Sequence, residues 1–241
     1  RFELYLAAGG APEDERADRL YIERLLALVR AFEPRVRLLL YAFDVRVDED
    51  GNEDLEHSMF RVPDEDVLAL ARALAEFLAC ASVHPHRADA LERLAAARAG
   101  GAVAVKWLPP AMGIDPSAAR HGPYYAKLAE LGLPLLVHTG LERAVWSAEG
   151  AELGNPLLLR APLAAGVRVV ALHCASLGEL ADLDAPGAPA RSGFELFLRL
   201  LEEQGPEGRL FGELSAMVQQ NRDPALLATL LARPELHGRL L

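Results

Sequence analysis

Cysteine is nearly absent from this chain of 241 residues: only Cys80 and Cys174 occur, and neither sits in a CxxC pair. That excludes a disulfide framework, a zinc knuckle and dithiol redox chemistry, and leaves two buried thiols as the expectation. Also lacking is any Lys/Arg-rich run. With 35 acidic against 25 basic residues the formal charge is -10, so a phosphate backbone would be repelled and nucleic acid is excluded as a partner. No apolar stretch approaches the roughly 20 residues needed to span a bilayer, and the opening "RFELYLAAGG" lacks the basic start and apolar core of a secretion signal. A cytoplasmic protein without a membrane partner is therefore expected. Missing too are a GxGxxG or GxxxxGK[ST] loop after the first strand and a GxSxG turn anywhere, which argues against a dinucleotide or P-loop site and against a serine nucleophile elbow.

What is present is an alternation. Short apolar runs bounded by Gly and Pro are followed by Ala/Leu/Arg/Glu-rich segments of helical period. The runs are 36–44 (VRLLLYAFD), 77–84 (FLACASVH), 102–108 (AVAVKWL), 134–140 (PLLVHTG), 167–174 (VRVVALHC) and 209–216 (RLFGELSA). Helices are predicted over 17–32, over 64–78, where Asp64 is placed to cap, and over 87–99. Strands too apolar to face water on either side, joined by helices, imply a parallel sheet covered on both faces. The fold class expected is α/β, a (β/α)8 TIM barrel, with residues 1–241 forming one domain. Six strands fall short of eight, and "HGRLL" at 237–241 reads as the start of another, so the first and last strands are expected to be lacking from the chain given. The competing reading makes "RFELYLAAGG" the first strand. A Pro/Gly-rich loop over 180–193 is expected to be a mobile excursion near the barrel mouth.

In such barrels the chemistry sits at the C-terminal ends of the strands. Reading off those ends gives Asp44, His84, Lys106, His138, His173 and Glu213. The steps from 106 to 138 and from 138 to 173 each equal one β/α unit, so these three side chains can converge from adjacent strands. Two imidazoles in the same structural slot are part of a metal-ligand set that leaves a position open for water; the alternative is a pair of histidines each bonded to a backbone carbonyl. Lys106, after a run of small apolar residues, either has a chemical role or pairs with Asp44 or Glu213 across the mouth. In "SVHPHR", Pro85 weakens an HxH reading: His84 is assigned to the substrate site and His86 to the loop. Arg160 is a candidate clamp for a substrate carboxylate, with a surface role as the alternative, and Glu213 is a further substrate contact. Trp107 should point away from Lys106, toward a helix.

The stretches "SVHPHRADALERL", "AVKWLPPAMGIDP", "LPLLVHTG", "GNPLLLRAPLAAGVRVVALHC" and "LFGELSAM" together resemble the amidohydrolase superfamily, in particular its amidohydrolase-related branch, from about residue 35 onward. The resemblance implies an eight-stranded barrel with one or two divalent metal ions, zinc foremost, at the strand ends. His138 matches the fifth-strand histidine ligand and His173 the sixth-strand one. Lys106 matches the fourth-strand position, which bridges two metals as a carbamylated lysine in binuclear relatives. Two family features have no counterpart in this chain: an HxH pair before the first clear strand and an Asp after "HGRLL". The function implied is hydrolysis of an ester, lactone or amide by a metal-activated water, with the proton shuttled by an aspartate outside this chain. A metal-dependent decarboxylase of a small unsaturated or aromatic acid and a non-catalytic binding barrel are the alternatives. The expected partner is a small-molecule substrate, and a homodimer is left open.

Overall fold

The structure, a computed structural model, describes residues 6–7, 9–10, 12–141, 150–205 and 207–241. Six strands make one parallel sheet: β1 (Leu38–Tyr41), β2 (Phe77–Ala81), β3 (Ala102–Trp107), β4 (Leu135–His138), β5 (Val169–Leu172) and β6 (Leu210–Glu213). Their order in the sheet is their order in the chain. Each connection therefore steps to the adjacent strand, as a singly wound barrel requires and a doubly wound sheet, whose order reverses at a switch point, does not. Each strand is shorter than its apolar run, because parallel pairing stops where the chain leaves for the next helix.

Period-two alternation divides the strand residues between two cores. One face contributes Cys80, Ala104, Leu136, Val170 and Leu172 to a buried cluster that Leu39 and Phe211 pack against. This is the lumen. The opposite face, with Ala79, Val105, Trp107, Leu135, Val137, Val169 and Ala171, packs on the helices. Those are α2 (Asp64–Ala73), α3 (Ala90–Ala99), α4 (Pro109–Met112), α5 (Gly122–Leu131), α6 (Arg160–Ala164), α7 (Gly193–Glu203) and α8 (Pro224–Leu231), and α1 (Ala17–Arg30) precedes the sheet. In α7 the apolar residues Phe194, Phe197, Leu200 and Leu201 recur at helical spacing and are all buried; each contributes about 1.5–3 kcal/mol of transfer free energy. Trp107 points to the helices as its alternation with Lys106 predicts, and its indole N–H donates to the Val83 carbonyl at 3.1 Å.

Several local expectations change. Asp64 is the first residue of α2 but does not cap it: no side chain does, and its carboxylate accepts the Ser82 N–H at 2.8 Å instead. In the stretch 237–241 the first residues end a 3-10 turn (Pro234–Arg239), and the expected start of a further strand is confined to the last two: Leu240 bridges Gly212 in parallel sense, the Leu241 N–H donates to the Gly212 carbonyl and the Leu241 carbonyl accepts the Leu214 N–H. The Pro/Gly-rich excursion is tethered. Its ends pair as an antiparallel hairpin, Glu179–Leu180 with Arg191–Ser192, and Asp182 accepts two nitrogens of Arg199 at 2.8 and 2.7 Å. The reading of "RFELYLAAGG" as a strand lies largely outside the described residues.

Candidate active site

The C-terminal ends of β4, β5 and β6 bring three of the sequence candidates together. His138 is the last residue of β4 and is buried. His173 follows β5 directly, and the two rings meet edge to face with centroids 5.3 Å apart. Glu213 closes β6, with a carboxylate oxygen 3.5 Å from His173 Nδ1.

The backbone around His173 is unusual. His173, Cys174 and Ala175 have φ of 62°, 50° and 49°, one turn of left-handed conformation made without glycine. Such residues cost on the order of 1–2 kcal/mol each, so the surroundings must hold them. They do so by close approach. A Cβ on Gly193 would lie 2.8 Å from the Ala175 carbonyl oxygen, and one on Gly212 would lie 2.7 Å from Cys174 Sγ. The Thr139 hydroxyl donates to the Leu172 carbonyl at 2.9 Å and accepts the Ala175 N–H at 3.1 Å.

Hydrogen bonding fixes the His173 tautomer. Ser215 Oγ donates to Glu213 at 2.8 Å, so it has no proton left for the imidazole; His173 Nδ1–H therefore donates to Ser215, whose carbonyl and hydroxyl oxygens both lie at 3.0 Å. Nε2 keeps its lone pair. Burial lowers the pKa of this imidazole, against the upward pull of the Ser215 carbonyl and Glu213, with Arg222 and Lys106 adding to the lowering. It is neutral at neutral pH. Glu213 itself serves the protein: its oxygens accept the Ser215 N–H at 2.7 Å and the His173 N–H at 3.3 Å.

Lys106 lies on the lumen side of β3, with Nζ 4.3 Å from the centroid of the Tyr41 ring. Of the two partners considered from sequence, Asp44 is committed to Arg87; the aromatic face of Tyr41 contacts the ammonium. Burial, with Cys80 and Glu213 nearby, pushes the Tyr41 phenol up to about 12, so it stays neutral. Burial likewise raises both thiols, Cys174 to about 12 and Cys80 further; neither is a thiolate nucleophile at neutral pH.

Three candidates are committed elsewhere, for definite reasons. His84 was expected to contact substrate, but it is fully buried and both ring nitrogens are used: Nε2 lies 3.0 Å from the Met112 carbonyl and Nδ1 accepts the His86 N–H at 3.2 Å. Burial drives its pKa down to about 3. Arg160 was a candidate carboxylate clamp; its guanidinium instead clamps the protein's own Asp184, at 2.7 and 2.8 Å, and Glu203, at 2.7 Å. Asp44, at the end of β1, is held by Arg87 through bonds of 2.7 and 2.6 Å. Burial pushes its carboxyl up, but Arg87 and the N–H groups of His84 and Val45 outweigh that and hold it below the usual carboxylate range.

The sequence reading missed Tyr41, Thr139, Ser215 and Arg222. Period-two spacing was a usable signal for two of them: Tyr41 shares a face with Leu39, and Ser215 shares one with Glu213. Thr139 is adjacent to a named histidine. Arg222, which donates to Ser176 Oγ at 3.0 Å, comes from a loop with no periodic signal.

A parallel β/α sheet wound in one direction, with polar side chains gathered at the carboxyl ends of its strands, is a β/α-barrel architecture. The amidohydrolase family matches residues 7–212; the chain belongs to that family. Among solved structures it is similar to an uncharacterized TIM-barrel protein from Bordetella bronchiseptica, at 16% identity with a TM-score of 0.65, over 98% of this chain and 74% of that one. It is also similar to a candidate 2-pyrone-4,6-dicarboxylic acid hydrolase from Pseudomonas putida, at 18% identity and TM-score 0.50, over 74% of this chain and 60% of that one. These likenesses show the barrel fold. A comparison with curated proteins gives no match. Among the described residues no helix is long and apolar enough to cross a membrane.

Proposed function

We propose that this protein is a hydrolase of an ester, lactone or amide, and that its chemistry is at the mouth formed by His138, His173 and Lys106. The observation that carries the reading is the meeting of His138 and His173, from adjacent strand ends, with ring centroids 5.3 Å apart. The pair fits a divalent ion, zinc foremost. His173 donates its Nδ1–H to Ser215 and so presents Nε2, the arrangement by which metal-binding histidines are generally oriented. Two imidazoles are an incomplete set: among the described residues no group of three or more His, Cys, Asp or Glu is placed to hold an ion. The proposal therefore requires donors beyond these two, for one ion or two. When bound, such an ion polarises a carbonyl and lowers the pKa of a water toward 7.

The chain's own residues have separable tasks. His138 and His173 hold the ion, and Glu213 with Ser215 keeps the His173 ring turned. The Lys106 ammonium, held over Tyr41, offsets negative charge that develops on the substrate oxygen. The substrate is a small molecule, and residues 1–241 act as one barrel domain in the cytoplasm, alone or as a homodimer.

A second reading, decarboxylation of a small acid, draws on two cationic side chains whose charge acts on His173. Lys106 and Arg222 both bear on its imidazole, in a chain whose formal charge is -10. Arg222 then replaces Arg160 as the group to test for carboxylate binding.

Metal analysis by plasma mass spectrometry on the purified protein, beside a His138→Ala/His173→Ala double variant, tests the proposal. One or two equivalents of zinc, manganese or iron, lost in the variant together with turnover of an ester, lactone and amide panel, is expected. No metal in either protein after reconstitution would overturn it.

A further inference from the structure

We infer that Thr139 is a positioning residue that sets the His138–His173 pair through the left-handed turn, an inference that rests on the proposal that these two histidines act together. The argument begins with connectivity. Thr139 directly follows His138, and Leu172 directly precedes His173. The Thr139 hydroxyl donates to the Leu172 carbonyl at 2.9 Å, and the same oxygen accepts the Ala175 N–H at 3.1 Å. One buried hydroxyl thus joins the end of β4 to both sides of the turn after β5.

Its position matters because of the conformation it brackets. Left-handed φ is unfavourable at each of His173, Cys174 and Ala175, so without a restraint the turn relaxes toward negative φ. Within the turn itself the restraint is only the Ser176 N–H donating to the His173 carbonyl at 2.9 Å. The other restraints come from outside: the Glu213 carboxylate accepts the His173 N–H at 3.3 Å at the start of the turn, and the Thr139 hydroxyl is the side chain that ties the far end of the turn, at Ala175, back to Leu172. Turning the backbone at His173 would carry the ring away from Ser215, and with it the Nδ1–H bond that leaves Nε2 unprotonated. Sheet register fixes the Cα atoms of His138 and Leu172 as partners, but register ends at Leu172. From there to the imidazole the direction is set by the turn.

The test compares Thr139→Val, which keeps the shape and removes the hydroxyl, with Thr139→Ser, which keeps the hydroxyl. Long-range nitrogen–proton NMR of the imidazoles in the metal-free protein at fixed pH reads the His173 tautomer. Zn2+ affinity, by competition with a chromophoric chelator, gives the second readout. The wild type is expected to show a single Nδ1–H tautomer at His173. Thr139→Val is expected to show an averaged tautomer and Zn2+ binding weakened about 10–100-fold, the range for losing an orienting partner of a metal ligand; Thr139→Ser restores both. A Thr139→Val protein with an unchanged His173 spectrum, or a Thr139→Ser protein that fails to restore it, overturns the inference. Should Thr139→Val not fold, Thr139→Val/Ala175→Gly decides, because glycine accepts positive φ without the restraint: restoration of the His173 tautomer supports the turn as the route, and a folded protein with the ring displaced overturns it. A wild type that takes up no Zn2+ defeats the hydrolase proposal alone and leaves the tautomer comparison to decide on Thr139.

Discussion

Two pairs of histidines in this molecule have the same ring spacing and opposite circumstances. His138 and His173 lie with centroids 5.3 Å apart, and so do His86 and His121. The first pair stands at the strand ends beside a carboxylate, with the charges of Lys106 and Arg222 acting on His173. The second lies on the outer side of the sheet, where His121 is buried against Trp107 and Tyr125 and His86 Nδ1 lies 3.2 and 3.1 Å from the Val47 and Asp48 carbonyls. Ring proximity alone does not make a site. His86 also donates its Nδ1–H, to backbone carbonyls, so a fixed tautomer is common to both; what distinguishes the first pair is its place at adjacent strand ends, a left-handed backbone that aims His173, and charge of both signs acting on it.

The largest expected difference between the pairs is in metal binding. His173→Ala should bring zinc content and hydrolysis to background, whereas His121→Phe, which fills the same space, should keep both; equal losses would erase the distinction. Next in size is a stability effect confined to the second region. His84→Ala opens a cavity and strips the Met112 carbonyl of its partner, so chemical denaturation should show a loss of about 2–4 kcal/mol with zinc content unchanged.

Acid should also separate the regions. Burial lowers His84 to about 3 and His121 to about 4 from 6.5, with His86 and Arg120 adding to the lowering at His121. Groups depressed in this way favour the unfolded state when protonated, so their contribution is complete above pH 6.5 and is lost as pH falls toward those values. Asp64 works in the opposite sense: burial raises it to about 6 from 3.8, so its contribution is present below 3.8 and lost as pH rises through 6. The net expectation is a falling unfolding temperature from pH 7 to 4.5. His121→Phe should flatten that slope by about 2 kcal/mol, and an unchanged slope would show that His121 does not titrate as its burial requires. The smallest effect expected is a gain. Ala175→Gly relieves one left-handed residue and should stabilise the protein by about 1 kcal/mol, read as a raised thermal midpoint with zinc affinity retained.

The sheet and the inward pair were legible in the sequence because both follow from period and position. Apolar runs gave the strands, alternation placed Lys106 and Trp107 on opposite faces, and the strand ends named His138, His173 and Glu213. His84 failed on the same logic. It lies three residues beyond Ala81, the last paired residue of β2, where Pro85 and the coming turn end the alternation, and the backbone there directs the ring to Met112. Arg160 was illegible for another reason: its partners Asp184 and Glu203 are distant in sequence, and ion pairs across such separations leave no periodic trace. The left-handed turn was equally hidden, since His173, Cys174 and Ala175 carry none of the glycine that usually announces positive φ. The close packing of Gly193 and Gly212 against it, together with the Thr139 hydroxyl, holds that conformation.

Titrating Zn2+ into the purified protein while following every imidazole by NMR tests the central claim most directly. The account predicts that His138 and His173 alone shift and saturate together, while His84, His86 and His121 stay where they are. Shifts at the outer cluster with none at His138 and His173 would contradict it.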